Sequence, residues 1–335
     1  MSETKRLGEF ELIGRYFKPL AARLPGALGL TDDAAVLDIP AGRQLVVTHD
    51  ALVAGVHFLT DDSPADVAAK ALAVNVSDLA SMGAAPLGYT LTLALTRDLD
   101  EGWLEAFSDG LAVEQERYGI ALAGGDTVST PGPLSVTVCA FGTVPAGQAL
   151  TRSGALPGDA VFVTGTIGDA ALGLLALTSG LGDLAEGYRN ALIDRYRHPQ
   201  PRIALAQLLV GSAHAAIDVS DGLVADLGHI CEESRLRARI DADRVPLSDA
   251  ARAVVGADDG CFQIVLTGGD DYEILFSAPS EAREAIARIS AVTGVPVTEI
   301  GRMEEAGSAE PSPVVGVYGA GGLELEIAAT GFQHF

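Results

Sequence analysis

The feature that most constrains this chain is a set of acidic turns, each of which follows an apolar run. An apolar run closed by Asp and Gly is typical of a buried strand that ends at the edge of a sheet. The pattern therefore predicts an α/β (α+β) protein in which carboxylates collect at strand ends and glycine turns. The six acidic segments, mostly at strand ends or glycine turns, lie at residues 31–36, 47–50, 75–78, 124–127, 217–222 and 267–273.

The acidic turns also point to a metal, because carboxylates that converge on one cleft repel one another unless a cation lies between them. Mg²⁺ prefers oxygen ligands and is usually held by one or two carboxylates together with substrate phosphates. Any single turn of this kind is more simply explained as structural, because Asp and Gly are the ordinary turn residues. The six together favour several Mg²⁺ ions and a nucleoside triphosphate, while spacing alone leaves the structural explanation open.

The charge of the chain limits its partners. Lys and Arg total 22 against 45 Asp and Glu, a net charge of −23, which disfavours nucleic acid and anionic membrane surfaces. Cys139, Cys231 and Cys261 show neither disulfide nor metal spacing. The chain begins without an apolar leader, and no apolar stretch approaches the ~18 residues that cross a bilayer. We expect a soluble cytoplasmic protein with no nucleic-acid or membrane partner.

Other signatures of cofactor chemistry are missing from the sequence. No Gly-x-x-x-x-Gly-Lys-Ser/Thr motif occurs, and the glycines of 165–168 do not have the dinucleotide-binding spacing. Histidines and cysteines show no zinc spacing, and Ser220 does not lie in a Gly-x-Ser-x-Gly motif. Any phosphate site must therefore be built from the acidic turns.

The length of 335 residues suggests two domains. Prolines and glycines concentrate at 145–157, and we place the boundary there, between domains of 1–148 and 149–335.

Apolar residues spaced by three and four predict a helix over 10–24, which Pro25 ends. A second helix is predicted from Ser63 to near Gly83, with Asn75 and Asp78, three residues apart, on one face. A third helix is predicted after Asp100. Strands are predicted at 44–48, 88–95, 134–144, 160–164 and near Ile217 and Ile264, with a helix through 170–177.

Taken in order, the motifs resemble those of the thiamine-monophosphate kinases, in the superfamily that includes aminoimidazole ribonucleotide synthetase. The resemblance covers nearly the whole chain. Its motifs are Asp-Asp-Ala-Ala at 32–35, Val-Ala-Gly-Val-His-Phe at 53–58, Asn-Val-Ser-Asp at 75–78, Gly-Gly-Asp-Thr at 124–127, Thr-Arg-Ser-Gly-Ala at 151–155, Asp-Val-Ser-Asp-Gly-Leu at 218–223, Gly-Gly-Asp-Asp-Tyr-Glu at 268–273 and Gly-Phe-Gln-His-Phe at 331–335.

The resemblance implies an enzyme that transfers the γ-phosphoryl group of ATP to thiamine monophosphate and yields thiamine diphosphate, with several Mg²⁺ ions and usually K⁺. It also implies a homodimer, in which the N-terminal domain binds ATP and Mg²⁺ and contributes to an intersubunit β-barrel. The C-terminal α/β domain completes the phosphate and substrate site.

The resemblance further implies a role for individual residues. Asp50, Asp126 and Arg152 would be catalytic. Three positions depart from the family, with His49 in place of a hydroxyl residue, Asp270 in place of Glu, and Phe332 in place of Trp or Tyr. The implied metal ligands are Asp33, Thr48, His49, Asp50, Asp78, Asp126, Asp218 and Asp221, the implied ATP contacts Gly125, Asp126, Arg152 and Ser220, and the implied substrate contacts His57, Asp270 and Phe332.

The chemistry of such a reaction needs no general base. A phosphate monoester with a second pKa of ~6 is largely a dianion at neutral pH and attacks directly. The interpretation is therefore direct in-line transfer, in which charge neutralisation and alignment do most of the catalysis. Two alternatives stay open from the sequence, namely another ATP-using member of the superfamily and a non-catalytic Mg²⁺-dependent nucleotide-binding module.

Overall fold

The computed structural model describes residues 8–306, 314–327 and Gly331. The chain divides into two compact units. One comprises Met1–Leu79 and Ala85–Gly147, and the other comprises Ala80–Ala84 and Gln148–Phe335. We call them the N-terminal unit and the C-terminal unit.

The N-terminal unit contains a four-stranded sheet of β1 (Arg43–Val53), β2 (Ala85–Leu95), β3 (Leu122–Ser129) and β4 (Ser135–Pro145). Its strand order is β1-β4-β2-β3, with β4 antiparallel to both neighbours and β3 parallel to β2. β1 is therefore an edge strand of this sheet. The predicted strands are present, whereas the predicted glycine turn at 124–127 is wrong, because these residues extend alongside β2 within β3.

Two helices provide much of the apolar core of the N-terminal unit, α2 (Pro64–Ser81) and α3 (Glu101–Tyr118). α2 begins as predicted, with the Ser63 hydroxyl accepting a hydrogen bond from the Asp66 N–H. The Asp100 carboxylate likewise caps α3 by accepting from the Trp103 N–H. The helices pack so closely that a Cβ at Gly110 would lie 2.9 Å from Ala65 Cα, so only glycine fits there.

The predicted single helix over 10–24 is wrong. The segment instead forms α1 (Glu9–Leu12), a π-helical turn (Ile13–Phe17) and a 3₁₀ turn (Lys18–Ala21), and a second 3₁₀ turn follows at Pro25–Leu30. Pro19 gives the physical reason, because it has no N–H to donate and its ring clashes with the carbonyl one turn earlier in a regular helix. The apolar spacing marks the buried side only in part, since Phe17 and Leu20 are buried whereas Phe10 is 86% exposed.

The C-terminal unit contains a six-stranded sheet with the order β10-β7-β9-β5-β8-β6. Neighbouring strands are antiparallel except β10 and β7, which are parallel. The strands are β5 (Ala160–Thr164), β6 (Ala215–Asp218), β7 (Leu236–Asp241), β8 (Ile274–Ala278), β9 (Val297–Glu305) and β10 (Val315–Tyr318).

Helices pack on both faces of this sheet. Along β5, Val161 and Val163 enter one apolar cluster while Ala160 and Phe162 enter another, because alternate strand residues point to opposite faces. The mixed α/β architecture expected from the sequence is confirmed. The helices are α4 (Asp169–Thr178), α5 (Glu186–Arg197), α6 (Ile203–Leu209), α7 (Leu223–Ser234), α8 (Asp249–Ala257), α9 (Cys261–Thr267) and α10 (Arg283–Thr293).

The strand predicted near Ile264 is wrong, because this residue lies in α9. Cys261 and Val265, four residues apart, are both buried, which is the spacing of a helix face. A short apolar run does not distinguish a buried strand from a buried helix.

The sheet of the C-terminal unit brings three connecting segments to one edge. β5 and β6 are each antiparallel to β8, so they end where β8 begins. The segments 165–168, 219–222 and 268–273 therefore meet at this edge.

Candidate active site

β1 and α2 bring together four polar residues in the N-terminal unit. Thr48 and Asp50 alternate along β1 and point to the same face of the sheet. Asn75 and Asp78, three residues apart, share a face of α2. The Thr48 hydroxyl donates a hydrogen bond to Asp78 Oδ2, and the Asp50 N–H donates to Asn75 Oδ1 over 3.2 Å. We call these four residues the β1–α2 group.

The environment of the β1–α2 group suits a cation. Burial raises the pKa of the Asp50 carboxyl above its ordinary value, and a hydrogen bond with Asp78 and the charges of His49 and His57 partly offset the rise. Two carboxylates this close in a half-buried place repel each other unless a positive ion compensates them. Carboxylate and hydroxyl oxygens are the ligands that Mg²⁺ prefers, so the group fits this metal.

The two histidines near this group have different surroundings. His57 accepts a hydrogen bond on Nδ1 from the Val53 N–H over 3.0 Å, so a neutral ring carries its proton on Nε2. His49 is exposed and lies between Thr48 and Asp50 on β1, so its side chain points to the opposite face of the sheet. The roles of His57 in substrate binding and of His49 in metal binding stay predictions.

A cavity of about 310 Å³ beside β3 collects the other predicted residues of the N-terminal unit. We call it the β3 cavity. Asp33 and Asp126 are exposed on its polar wall, and Asp126 Oδ1 accepts the Thr127 N–H over 2.8 Å. Much of the remaining lining is apolar, including Ile13, Phe17 and Leu91, and such a mixed lining suits a ligand that has both an aromatic base and phosphates. The lining includes Phe10, Ile13, Phe17, Leu30, Asp32, Asp33, Leu91, Gly125 and Asp126.

Gly125 is required where β3 meets the cavity. Its backbone lies so close to β2 that a Cβ would sit 1.9 Å from the Leu91 carbonyl oxygen. Any side chain at this position would push β3 away from β2 and displace Asp126.

The predicted ligands of the N-terminal unit therefore fall into two groups, one at β1 and α2 and one in the β3 cavity. Among the described residues of this unit, no three His, Cys, Asp or Glu side chains have ligand atoms within 4.8 Å of one another. Such a sparse protein contribution is typical of Mg²⁺ sites, where water and substrate phosphates fill the remaining positions.

In the C-terminal unit, a single buried carboxylate shapes the segment that carries Asp218, Ser220 and Asp221. Asp226 Oδ2 accepts the N–H groups of Ser220, Asp221 and Gly222, each over 3.0 Å. Burial and the nearby Asp221 charge raise the pKa of Asp226 to about 7. The predicted ligand Asp221 thus lies in a turn that Asp226 organises from the first turns of α7.

Asp221, Asp226 and His229 have ligand atoms that all lie within 4.8 Å of one another. Among the described residues, they form the one set of three with this property. Asp226 and His229 were missed by the sequence prediction. A signal was present, since Asp226 stands four residues after Gly222, the spacing at which a helical carboxylate reaches back to the start of its own helix.

The turn at 268–273 lies against the segment at 219–222. The Asp270 N–H donates to the Ser220 carbonyl over 2.9 Å, and the Tyr272 N–H donates to the Val219 carbonyl over 2.8 Å. The Val219 N–H donates in return to the Glu273 carbonyl over 2.8 Å. The predicted substrate contact Asp270 is therefore attached by main-chain hydrogen bonds to the predicted ATP contact Ser220.

Arg152 is exposed on the segment 151–155. The Ser234 hydroxyl accepts the N–H groups of Gly154 and Ala155 and can donate to the Arg152 carbonyl, each over 3.2 Å. This hydroxyl at the end of α7 holds the segment in place. Sequence reasoning did not identify Ser234.

The predicted substrate contact Phe332 lies outside the described residues. Its neighbour Gly331 is described and approaches the 219–222 segment, since a Cβ there would lie 2.9 Å from the Asp221 carbonyl oxygen. The role of Phe332 stays a prediction.

The chain is similar to known proteins over both units. Family models of AIR synthase related proteins match residues 31–144 with the N-terminal domain and 157–312 with the C-terminal domain. The chain is 50% identical over 298 residues to the thiamine-monophosphate kinase of Salmonella typhimurium, covering 88% of this chain and 90% of that protein.

Solved structures show the same likeness. The thiamine-monophosphate kinase from Stenotrophomonas maltophilia K279a is 42% identical, with a TM-score of 0.82 and coverage of 94% of this chain and 97% of that one. The protein AaThiL, complexed with AMPPCP and TMP, is 32% identical with a TM-score of 0.75, and the alignment covers 100% of both chains.

Proposed function

Since this chain belongs to the thiamine-monophosphate kinase family of AIR synthase related proteins, we propose that it transfers the γ-phosphoryl group of ATP to thiamine monophosphate and yields thiamine diphosphate. One observation carries the proposal above the others. The likeness to a relative complexed with AMPPCP and TMP extends over the whole chain, through both units and all the acidic segments described above.

Several Mg²⁺ ions are part of the proposal. In the N-terminal unit Asp33, Thr48, Asp50, Asp78 and Asp126 would hold them, and His49 is the least supported ligand because its side chain lies on the other face of β1. In the C-terminal unit Asp218 and Asp221 would do so. Bound Mg²⁺ would neutralise phosphate charge and polarise the transferring phosphoryl group. A K⁺ requirement is also proposed, and replacing K⁺ by Na⁺ in the assay tests it.

The β3 cavity is the proposed place for part of the nucleotide. Its apolar wall would cover the base, and its volume of about 310 Å³ is at the lower end for a ligand pocket. The Gly125 backbone, Asp126, Arg152 and Ser220 are the proposed ATP contacts. Arg152 is always charged and would bind phosphate oxygens by charge-assisted hydrogen bonds.

The proposed acceptor contacts are His57, Asp270 and Phe332. His57 would donate from Nε2, because its Nδ1 already accepts the Val53 N–H. The acceptor phosphate needs no deprotonation, so the carboxylates act as metal ligands and not as bases. The transfer is then direct and in-line, with Asp50, Asp126 and Arg152 contributing most to transition-state stabilisation.

A homodimer is proposed on the evidence of β1. Leu45 and Val47 are 46% and 53% exposed on this edge strand, an apolar edge that soluble monomers usually protect. Pairing of N-terminal units through such strands would build the intersubunit β-barrel. Light scattering on a size-exclusion column tests this, and Val47→Lys should yield a monomer if β1 forms the interface.

We also propose a cytoplasmic location. Cys139, Cys231 and Cys261 are free thiols, as expected in a reducing compartment. Among the described helices, none is both long enough and apolar enough to cross a membrane.

The decisive experiment is a product assay. Purified protein is incubated with ATP, Mg²⁺ and thiamine monophosphate, and thiamine diphosphate is measured by chromatography, with omission of each component as a control. We expect product only in the complete mixture. Activity on aminoimidazole precursors alone would favour another superfamily member, and metal-dependent ATP binding without any product would favour a non-catalytic module.

A further inference from the structure

The turn that carries Asp270 has an unusual backbone. Asp270 and Tyr272 have φ values of 72° and 51°, in the left-handed region that non-glycine residues rarely adopt. Such residues persist only where the surrounding structure holds them, and they occur often at functional sites. The side chains that alternate with them are the fully buried Asp271 and Glu273, at 0% exposure each.

Glu273 is held by three side chains of the C-terminal unit. Thr164 donates to Oε2 over 2.6 Å, Arg195 donates to Oε1 over 2.9 Å, and Arg202 Nε donates to Oε2 over 2.7 Å. Arg202 also donates through Nη2 to Oε1, so the two groups form a bidentate pair. One strand, α5 and the residue before α6 thus converge on a single carboxylate.

Asp271 is held by the start of α4. Its Oδ2 accepts the Gly168 N–H over 2.6 Å and its Oδ1 accepts the Ala170 N–H over 3.2 Å. Asp271 and Glu273 therefore fix the turn on both sides of Tyr272. The close contact of Glu273 with Gly165, where a Cβ would lie 2.1 Å from Oε1, leaves the carboxylate little room to move.

We propose that Glu273, held by Arg202 and Arg195, is a positioning residue that keeps Asp270 in its left-handed conformation and so sets the affinity for the acceptor phosphate ester. The proposal rests on the function proposed above for the acceptor contact. Asp270 and Glu273 are three residues apart, and loss of the buried ion pair would let the strained turn relax toward ordinary backbone angles.

The test uses Glu273→Gln and Arg202→Lys, each of which keeps the size and polarity of the side chain but breaks the bidentate pair. Glu299→Gln is the matched control, because Glu299 on β9 also pairs with two arginines, Arg283 and Arg244. Hydrogen exchange by mass spectrometry follows peptides that span 268–273, where the Asp270 and Tyr272 N–H groups are hydrogen-bonded. Steady-state kinetics give KM for each substrate and kcat.

We expect both variants to speed exchange in this turn and to raise KM for thiamine monophosphate about tenfold, with a smaller change in kcat. The Glu299→Gln control should change neither the exchange in this turn nor the KM for thiamine monophosphate. A purely structural role would instead lower kcat with the fraction of folded protein and leave both KM values unchanged. Asp270→Asn, which keeps a residue that tolerates the left-handed region, should raise the same KM without faster exchange.

Two results would overturn the proposal. One is unchanged exchange in the turn of folded Glu273→Gln and Arg202→Lys proteins. The other is faster exchange with an unchanged acceptor KM in an enzyme that makes thiamine diphosphate. If the Glu273→Gln protein does not fold, hydrogen exchange in the turn and the acceptor KM of the Arg202→Lys protein decide the proposal. If the wild-type protein makes no thiamine diphosphate, the proposed function fails, and the exchange data alone decide whether Glu273 positions the turn.

Discussion

Carboxylates of the two units differ in how far the fold itself satisfies them. In the N-terminal unit, Asp33 and Asp126 are exposed and Asp50 is half-buried beside Asp78. In the C-terminal unit, carboxylates such as Glu273 are fully buried and satisfied by N–H groups or guanidinium groups of the protein itself. The same residue type after an apolar run is therefore exposed at Asp33 and Asp126, where it is available to a ligand, and fully buried as a structural anchor at Glu273.

The number of hydrogen-bond donors that the fold supplies distinguishes the two roles. A structural carboxylate has its hydrogen-bond donors built into the fold, so it needs no added cation. A ligand carboxylate lacks enough donors, so its charged form is unfavourable until a cation binds. Loss of a ligand carboxylate should therefore mainly lower turnover, whereas complete loss of a structural carboxylate should mainly lower stability.

The largest expected effect is on turnover in the N-terminal unit. Asp50→Asn and Asp126→Asn should each lower kcat about a thousandfold or more, because charge stabilisation of the transferring group is lost. Thermal stability should stay the same or rise, since like charges are removed. Product assays and calorimetry on the same samples measure both, and near wild-type kcat in either variant would contradict the assignment.

The next effect is on folding in the C-terminal unit. Glu273→Ala should lower the free energy of unfolding by about 3–5 kcal/mol, because Arg195 and Arg202 are left buried without a counter-charge. Urea denaturation measures the change. Glu299→Ala, which breaks a more exposed pair, should cost at most ~1 kcal/mol. An equal loss of unfolding free energy in the two variants would contradict the contrast between a buried anchor and a surface pair.

Removal of divalent metal should affect only the ligand carboxylates. With a chelator, the affinity for ATP should fall about a hundredfold, because the acidic residues of the N-terminal unit then repel the nucleotide. Mg²⁺ alone should raise the Tm of the wild-type protein but not that of Asp50→Asn. Titration calorimetry and thermal melts test this, and chelator-independent ATP binding would contradict it.

A further effect on stability is expected from pH, through Asp271. Burial raises the pKa of Asp271 from 3.8 in an unfolded chain to about 8 in the folded protein. The folded state therefore binds the proton more tightly between these values, and the free energy of unfolding falls as pH rises through this window. The fall should be on the order of 1 kcal/mol per pH unit at most.

Asp271→Asn removes this titration. Urea denaturation at pH 5 and pH 8 compares the two proteins, and the wild type should lose more stability on going to pH 8. A parallel pH dependence in both would show that Asp271 does not titrate in this range.

Much of the fold could be predicted from the sequence, because apolar spacing and capping residues act locally. Ser63 and Asp100 begin their helices as predicted. The failures have local causes too. Pro19 breaks a spacing that is otherwise helical, and the run around Ile264 is too short for its period to be decided.

The site could be predicted only in part, because burial and partners belong to the tertiary structure. The spacing of Asn75 and Asp78 correctly placed them on one helix face. The roles of Ser234 and Arg202 could not be read from the chain, since each acts on groups that are distant in sequence and brought near only by folding. Asp226 acts on the turn just before its own helix, and its spacing from Gly222 was the one available signal. Residue type alone does not reveal whether a carboxylate has its donors.

The hydrogen bonds between 219–220 and 270–273 have a consequence for how the binding of one substrate affects the affinity for the other. Through these bonds, the segment that carries the proposed ATP contact and the turn that carries the proposed acceptor contact form one hydrogen-bonded unit. A ligand that orders either one reduces the entropy that the other must lose. Binding of the two substrates should then be synergistic, and thermodynamic linkage requires that each increase the affinity for the other by the same factor.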